Sequence, residues 1–280
     1  MVLLGGHVSA QGGFDKAMER AESISANVVQ LFGASPVRWS AIIPTKEAIE
    51  KFRKAQKKAR VRLVFLHAPY LINLASPKAQ LAAMSRSLLQ KHLQINNVLG
   101  ANGVIFHIGS RGDQDKKEAQ KKVVDAVRRI LAEEKSGKLL IENSAGAGNL
   151  VGASIEEIGT IIKGVNNKRV GFCYDTAHGF EAGVLTDFST DTLNDFFKKI
   201  DKYIGPEKLW AIHLNDSKTP ASSNKDRHEN IGDGHIGQKN ICAFVKHKAL
   251  SLLPFILEVP GIDDLGPDKE NIERVKKCFI

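Results

Sequence analysis

Short apolar runs alternate along this chain with longer amphipathic stretches. The apolar runs fall at 2–7, 27–32, 61–66, 103–106, 138–141, 170–174, 209–214 and 254–257. Most are continuous in Val, Ile, Leu and Phe rather than alternating with polar residues. That is the pattern of strands buried on both faces of a parallel sheet. Helix-like stretches occupy 13–24, 46–59, 78–99, 116–134, 154–163, 189–203, 238–247 and 268–278. Recognisable start signals are Pro44-Thr45 with Ala48 three positions on, Ser76-Pro77, and Gly266-Pro267-Asp268. Eight β–α units in strict alternation predict a single closed (β/α)8 TIM barrel, an α/β fold, in preference to an open doubly wound sheet. No internal repeat, low-complexity segment or linker breaks the alternation, so residues 1–280 are expected to form one barrel, a single catalytic domain. The longest connection, 215–237, follows the seventh run, and a loop of that length in a compact domain is usually functional.

Composition adds less. The 280 residues are close to the roughly 250 typical of such a barrel. Formal net charge is +9, which suits a polyanionic partner. Much of the excess lies in 51–62 and 116–129, which read as solvated helix faces, so charge alone does not select the partner. The three cysteines, Cys173, Cys242 and Cys278, form no CxxC and are odd in number. They are expected to be reduced thiols of a reducing compartment. The apolar start, Met1-Val2-Leu3-Leu4-Gly5-Gly6, is interrupted by glycines and then His7, and reads as a first strand rather than a secretion signal. No apolar run approaches the ~20 residues that span a bilayer. The expectation is a cytoplasmic monomer with no membrane partner.

The chemistry is concentrated where the apolar runs end. In a β/α barrel the active site lies at the C-terminal ends of the strands. The third and fourth runs end on His67 and His107, the fifth and sixth on Glu142 and Asp175, the seventh on His213 and the eighth on Glu258. Asp, Glu and His together make up 40 of 280 residues (31 and 9), one in seven. Allowing three positions per strand end, six consecutive matches arise by chance well under about 1% of the time. One such residue alone reads as a cap or a hydrogen-bonded core side chain; six together read as a metal site.

Three further residues extend the set: His178, three positions beyond Asp175 in the loop after the sixth run, and Asp226 and His228 in the long loop. Side chains two apart in an extended segment point the same way. The nine are five His, two Asp and two Glu. Imidazole and carboxylate without thiolate suit catalytic Zn²⁺, with Mn²⁺ or Fe²⁺ as alternatives at one position. Three zinc ions per chain, one carboxylate bridging, would use all nine. Clustered ions suit phosphoryl hydrolysis.

At these residues the chain resembles the endonuclease IV family of apurinic/apyrimidinic endonucleases, of the xylose-isomerase-like TIM barrel superfamily. The matching segments are Gly6-His7-Val8-Ser9-Ala10 with Gly12-Gly13, His67-Ala68-Pro69-Tyr70-Leu71-Ile72-Asn73-Leu74, Phe106-His107 with Gly109-Ser110, Ile141-Glu142-Asn143 with Ala145-Gly146, Asp175-Thr176 with His178, His213-Leu214-Asn215-Asp216-Ser217-Lys218, Asp226-Arg227-His228 with Ile231-Gly232, Gly234 and Ile236-Gly237, and Leu257-Glu258. They run in order from Gly6 to Glu258. The resemblance implies one zinc on His67, His107 and Glu142, a second on Glu142, Asp175, His213 and Glu258, and a third on His178, Asp226 and His228. Glu142 and Glu258 are the residues it implies for catalysis. The implied reaction is hydrolysis of the phosphodiester 5′ to an abasic site in double-stranded DNA, leaving a 3′-hydroxyl. The family flips the abasic nucleotide out, which costs little where a base is missing.

One segment departs from the family. Gly33-Ala34-Ser35-Pro36-Val37-Arg38-Trp39 replaces the family's Lys-Asn-Pro/Gln-Arg before the tryptophan, so Val37 stands where an arginine enters the DNA. Arg38, Tyr70, Leu71, Lys218 and Arg227 are the expected DNA-binding residues, with Trp39 expected in the core. Two other readings remain open at this point. One is a metal-dependent sugar isomerase or epimerase on the same type of barrel, which would not need His178, Asp226 and His228. The other is a non-catalytic DNA-binding or scaffold protein.

Overall fold

The computed structural model describes residues 2–280; Met1, part of the apolar start, lies outside the described residues. Eight parallel strands close on one another: β1 (Leu4–His7), β2 (Val28–Phe32), β3 (Leu63–His67), β4 (Gly103–Phe106), β5 (Leu139–Glu142), β6 (Val170–Asp175), β7 (Leu209–His213) and β10 (Phe255–Leu257). Closure is made between the first and last, with Leu4 opposite Phe255 and Gly6 opposite Leu257. Helices α1 (Phe14–Ser23), α2 (Lys46–Lys58), α3 (Ala79–Leu99), α4 (Lys116–Glu133), α5 (Ile155–Val165), α7 (Thr190–Tyr203), α8 (Gly237–Val245) and α9 (Lys269–Lys276) connect the strands or follow the last. The closed (β/α)8 barrel expected from the alternation is therefore the fold.

The period of two along each strand explains where the site forms. One hydrophobic cluster fills the barrel lumen: Val28, Phe65, Ile105, Leu140, Cys173, Ala211 and Ile256. Leu66, Phe106, Ile141, Tyr174, Ile212 and Leu257 belong instead to the larger cluster shared with the helices. Each lumen residue is followed two positions later by a polar one: Gln30, His67, His107, Glu142, Asp175, His213 and Glu258. Side chains two apart on a strand share a face. The metal-type ligands are thus the next layer of the barrel interior, stacked on the apolar layer below. On β1 the corresponding lumen position is Gly5, where a Cβ would lie 1.6 Å from the Val28 carbonyl oxygen. Nothing larger than hydrogen fits there.

Helix starts follow the capping rules. Thr45 accepts from the Ala48 amide, Asp115 from Lys117 and Glu118, and Asp268 from Asn271. After Ser76-Pro77 the helix expected from 78 begins one residue later, at Ala79, with Lys78 at the cap position.

Three features were not expected from the pattern. A short helix, α6 (Thr176–Glu181), starts directly at the end of β6, so His178 sits on a helix rather than in a loop. The long loop carries a two-stranded ribbon, β8 (Asp216–Ser217) paired with β9 (His228–Glu229). And the thiol expectation fails for two of the three cysteines. Cys242 on α8 is disulfide-bonded to Cys278 in the last turn, 36 residues away. Packing of α8 beside the C-terminal turn brings them together. Cys173 stays free, buried in the lumen.

Candidate metal centre

All nine predicted ligands converge at the C-terminal mouth of the barrel, in three sets. His67 Nε2 and His107 Nε2 lie 3.1 and 3.5 Å from Glu142 Oε2. His213 Nδ1 lies 2.9 Å from Glu142 Oε1, 3.1 Å from Glu258 Oε2 and 3.9 Å from Asp175 Oδ2. His178 Nε2 lies 3.3 Å from Asp226 Oδ1 and 3.4 Å from His228 Nε2, which is itself 3.8 Å from Asp226 Oδ1. Asp175 also reaches this last group, 3.7 Å from His228 Nε2. A tetrahedral zinc with ligand arms of 2.0–2.1 Å has ligand–ligand edges of about 3.3 Å. The spacings match such edges, and Glu142 contributes one oxygen to each of the first two sets. His67 with His107 and Glu142, Glu142 with Asp175, His213 and Glu258, and Asp175 with His178 and His228 could each hold a metal ion.

The histidine tautomers sharpen the argument. His67 places Nδ1 2.7 Å from the Ala68 carbonyl, His178 places Nδ1 3.0 Å from that of Asn143, and His228 places Nδ1 3.3 Å from that of Glu258. A carbonyl can only accept, so each Nδ1 donates its proton, and in the neutral ring the lone pair is then on Nε2. His213 is reversed: Nε2 lies 2.8 Å from Gln30 Oε1, leaving the lone pair on Nδ1. Lone pairs on four rings therefore face carboxylate oxygens across roughly the edge of one coordination polyhedron. Acceptor facing acceptor in a buried site is repulsive until positive charge, a proton on the ring or a bound cation, stands between them. The donor set fits divalent cations.

The titrating groups respond to the same crowding. Burial pushes Glu142 up, but His107 and His213 outweigh it and hold the carboxyl well below its usual range. Burial likewise raises Glu258, and His213 overrides it to hold that carboxyl well below. Burial opposes ionisation of Asp226 too, yet His178 brings it down to about 2. Burial lowers His107, against the opposing pull of Glu142.

Side chains that sequence reasoning missed hold the ligands in place. Asn143 and the Asp175 backbone bond each other twice, Nδ2 to the Asp175 carbonyl at 3.0 Å and the Asp175 amide to Oδ1 at 2.7 Å. Asn215 donates to Asp175 Oδ2 at 2.7 Å and accepts from the Glu258 amide at 2.7 Å. Asp216, fully buried, accepts from the amides of Ser217, Gly232, Gly234, Ile236 and Gly237, and so folds the long loop around one carboxylate. Glu181 accepts from the Arg227 amide between the two loop ligands. Asn143, Asn215 and Asp216 lie inside the quoted motifs, so their presence there was the available signal.

The expected DNA-side residues lie on loops that follow strands: Arg38 after β2, Tyr70 and Leu71 after β3, and Lys218 and Arg227 in the long loop after β7. Tyr70 is 64% exposed and packs against Phe32 and His67. Burial, then Glu258 and Glu142, push its hydroxyl above the ordinary range, so the phenol stays neutral. Leu71 beside it is half-buried, and Arg38, Lys218 and Arg227 are exposed. Lys218 lies 4.0 Å from Glu229, and Arg227 donates to the Asp226 carbonyl. Trp39 departs from its expected place. It is 38% exposed and lines a surface groove with Met84 and Lys91 of α3, because the 33–45 segment lies outside the sheet and offers it only the flank of that helix.

A barrel whose mouth gathers imidazoles and carboxylates in this way defines a metal-centre TIM barrel, and residues 16–278 match the model of the xylose isomerase-like TIM barrel family. The chain belongs to that family and, within it, to the endonuclease IV proteins. It is 36% identical to the probable endonuclease 4 of Thermosipho africanus, over 100% of this chain and 99% of that one. Among solved structures it is similar to endonuclease IV from Thermus thermophilus, at 28% identity and a TM-score of 0.84, covering 99% of this chain and 98% of that one. A D-tagatose 3-epimerase-like protein shares the fold at a TM-score of 0.74 and 17% identity, covering 98% and 97%. No helix among the described residues is long and apolar enough to cross a membrane.

Proposed function

We propose that the protein is a zinc-dependent DNA-repair endonuclease that hydrolyses the phosphodiester 5′ to abasic sites in double-stranded DNA and leaves a 3′-hydroxyl. Family membership supports the nuclease class. The observation that carries the finer reading is the third donor set. His178, Asp226 and His228 converge to within 3.8 Å of one another, beside two other sets. One or two ions suffice for sugar isomerases and epimerases on this barrel, and a third set has no use there.

His67, His107 and Glu142 would hold one ion, Glu142, Asp175, His213 and Glu258 a second, and His178, Asp226 and His228 a third. When bound, such ions neutralise charge developing on a phosphate and activate water. The chain's own residues do the rest. Glu142 spans two sets with its two oxygens and fixes their separation. Glu258, tied to His7 and Gln30, keeps one oxygen directed at His213. Arg38, Lys218 and Arg227 offer cations to phosphates around the mouth, and Tyr70 and Leu71 offer apolar surface where base stacking is lost. A nucleotide without a base is the cheapest one to unstack, which gives selectivity a physical source.

The test is cleavage of a duplex carrying one abasic site, before and after exposure to a chelator. Incision 5′ to the lesion that chelation abolishes and zinc restores is expected. An intact duplex product, together with turnover of ketose sugars, would transfer the assignment to the epimerase class. DNA affinity should fall steeply with salt, since several phosphates are neutralised on binding.

A further inference from the structure

His213 is turned in the opposite sense from His67, His178 and His228, and one side chain accounts for it. Three rings donate Nδ1–H to main-chain carbonyls and present Nε2. His213 has no such carbonyl. Its Nε2–H goes to Gln30 Oε1 at 2.8 Å, and Nδ1 is turned toward Glu142, Glu258 and Asp175. The amide end of the same side chain donates to Glu258 Oε1 at 2.6 Å, beside His7 Nδ1, which lies 3.0 Å from both that amide nitrogen and Glu258 Oε1. Gln30 is completely buried and lies in the middle of an otherwise apolar strand, Val28-Val29-Gln30-Leu31-Phe32.

We propose that Gln30 is a positioning residue of the metal centre: its carboxamide selects the His213 tautomer and aims Glu258, so that one side chain orients two donors of the same set. The inference rests on the metal reading above. Both ends of the amide are needed. Glu258 can only accept, so it must face the NH₂; His213 must then meet the oxygen, and its proton is placed on Nε2. With Oε1 of Glu258 occupied, Oε2 is the oxygen left for His213 Nδ1. Outer groups of this kind commonly tune metal affinity 10- to 100-fold.

Two variants separate this role from packing. Gln30→Met keeps the length and removes every hydrogen bond; Gln30→Glu keeps the acceptor for His213 but opposes Glu258 with a second carboxylate. Apo-protein is titrated with zinc against a competing chelator, and the ¹⁵N shifts of the histidine rings are read in the zinc-loaded chain. Wild type should show one ring bound through Nδ1 and protonated on Nε2. Gln30→Met should bind one of the ions 10- to 100-fold more weakly and lose that single-tautomer signature, and Gln30→Glu should keep the signature but also weaken the ion. Unchanged affinity and an unchanged His213 tautomer in Gln30→Met, even with lowered thermal stability, would leave Gln30 a packing residue and overturn the proposal. Wild type that takes up no metal would overturn the metal reading and this inference together. Wild type that binds metal but does not cut abasic DNA would overturn the reaction and leave this inference standing.

Discussion

The Tyr70 ring lies nearly parallel to the His107 ring, with centroids 5.8 Å apart and planes at 28°. An exposed aromatic at the mouth therefore packs beside a metal-type ligand. Tyr70→Ala should weaken binding to abasic DNA by roughly 1–3 kcal/mol, the scale of a stacking contact. Metal content should not change, since Tyr70 contributes no atom to the three sets. Val37 is 77% exposed, so Val37→Arg should be neutral or improve affinity by adding a cation at that face. Titrations on abasic and intact duplexes decide it; a Tyr70→Ala protein that binds both as wild type does would remove this loop from the interface.

Elemental analysis of the purified chain should give close to three metal ions, mainly zinc. The third set depends on Asp226, which is the most exposed of its members at 56% side-chain accessibility. Asp226→Asn should lower the count toward two while leaving the set on His67, His107 and Glu142 filled. A wild-type count of one or two would refute the trinuclear reading.

Glu258→Gln should remove most abasic-site cleavage while the barrel stays folded. The substitution keeps the shape but withdraws a charge from His213 Nδ1, 3.1 Å away, and leaves two amides, Gln30 and residue 258, in competition. Circular dichroism should match wild type. Near-wild-type cleavage would show that Glu258 is not a ligand.

Under denaturing, non-reducing conditions only one of the three cysteines, Cys173, should titrate as a thiol. Reduction, or Cys278→Ser, should cost about 2–4 kcal/mol, as is typical for losing a cross-link. The readout is the shift in Tm with and without reductant. Three titratable thiols in the untreated chain would show that the cross-link does not form.

The barrel was legible because each buried strand announces itself as a continuous apolar run. Six of the nine candidate ligands were legible because each ends such a run, two positions after a lumen residue such as Phe65 or Leu140. Gln30 did leave a signal in the sequence: it is a lone polar residue inside an apolar run. Cys242 and Cys278 left none, since their pairing depends on how α8 packs against the chain end and not on any local spacing. The helix at Thr176–Glu181 was hidden by its brevity, six residues that begin on the ligand Asp175 itself. Trp39 was misplaced because an apolar residue next to strand two was assigned to the core, while its segment runs along the outside of α3.

The donors run from His67 to Glu258, and the second set alone joins residues from four different strand ends. No local fragment of the chain can assemble that set. Its last member follows β10, the strand whose pairing with β1 shuts the barrel. Uptake of the proposed ions would therefore be coupled to completion of the whole ring, and an ion that recognises only the finished ring would shift the folding equilibrium toward it by mass action. At a free concentration a hundredfold above its dissociation constant, each such ion adds about 2.7 kcal/mol. The order of events in the cell follows from this: the chain must close before it can be armed, and once armed it becomes harder to open.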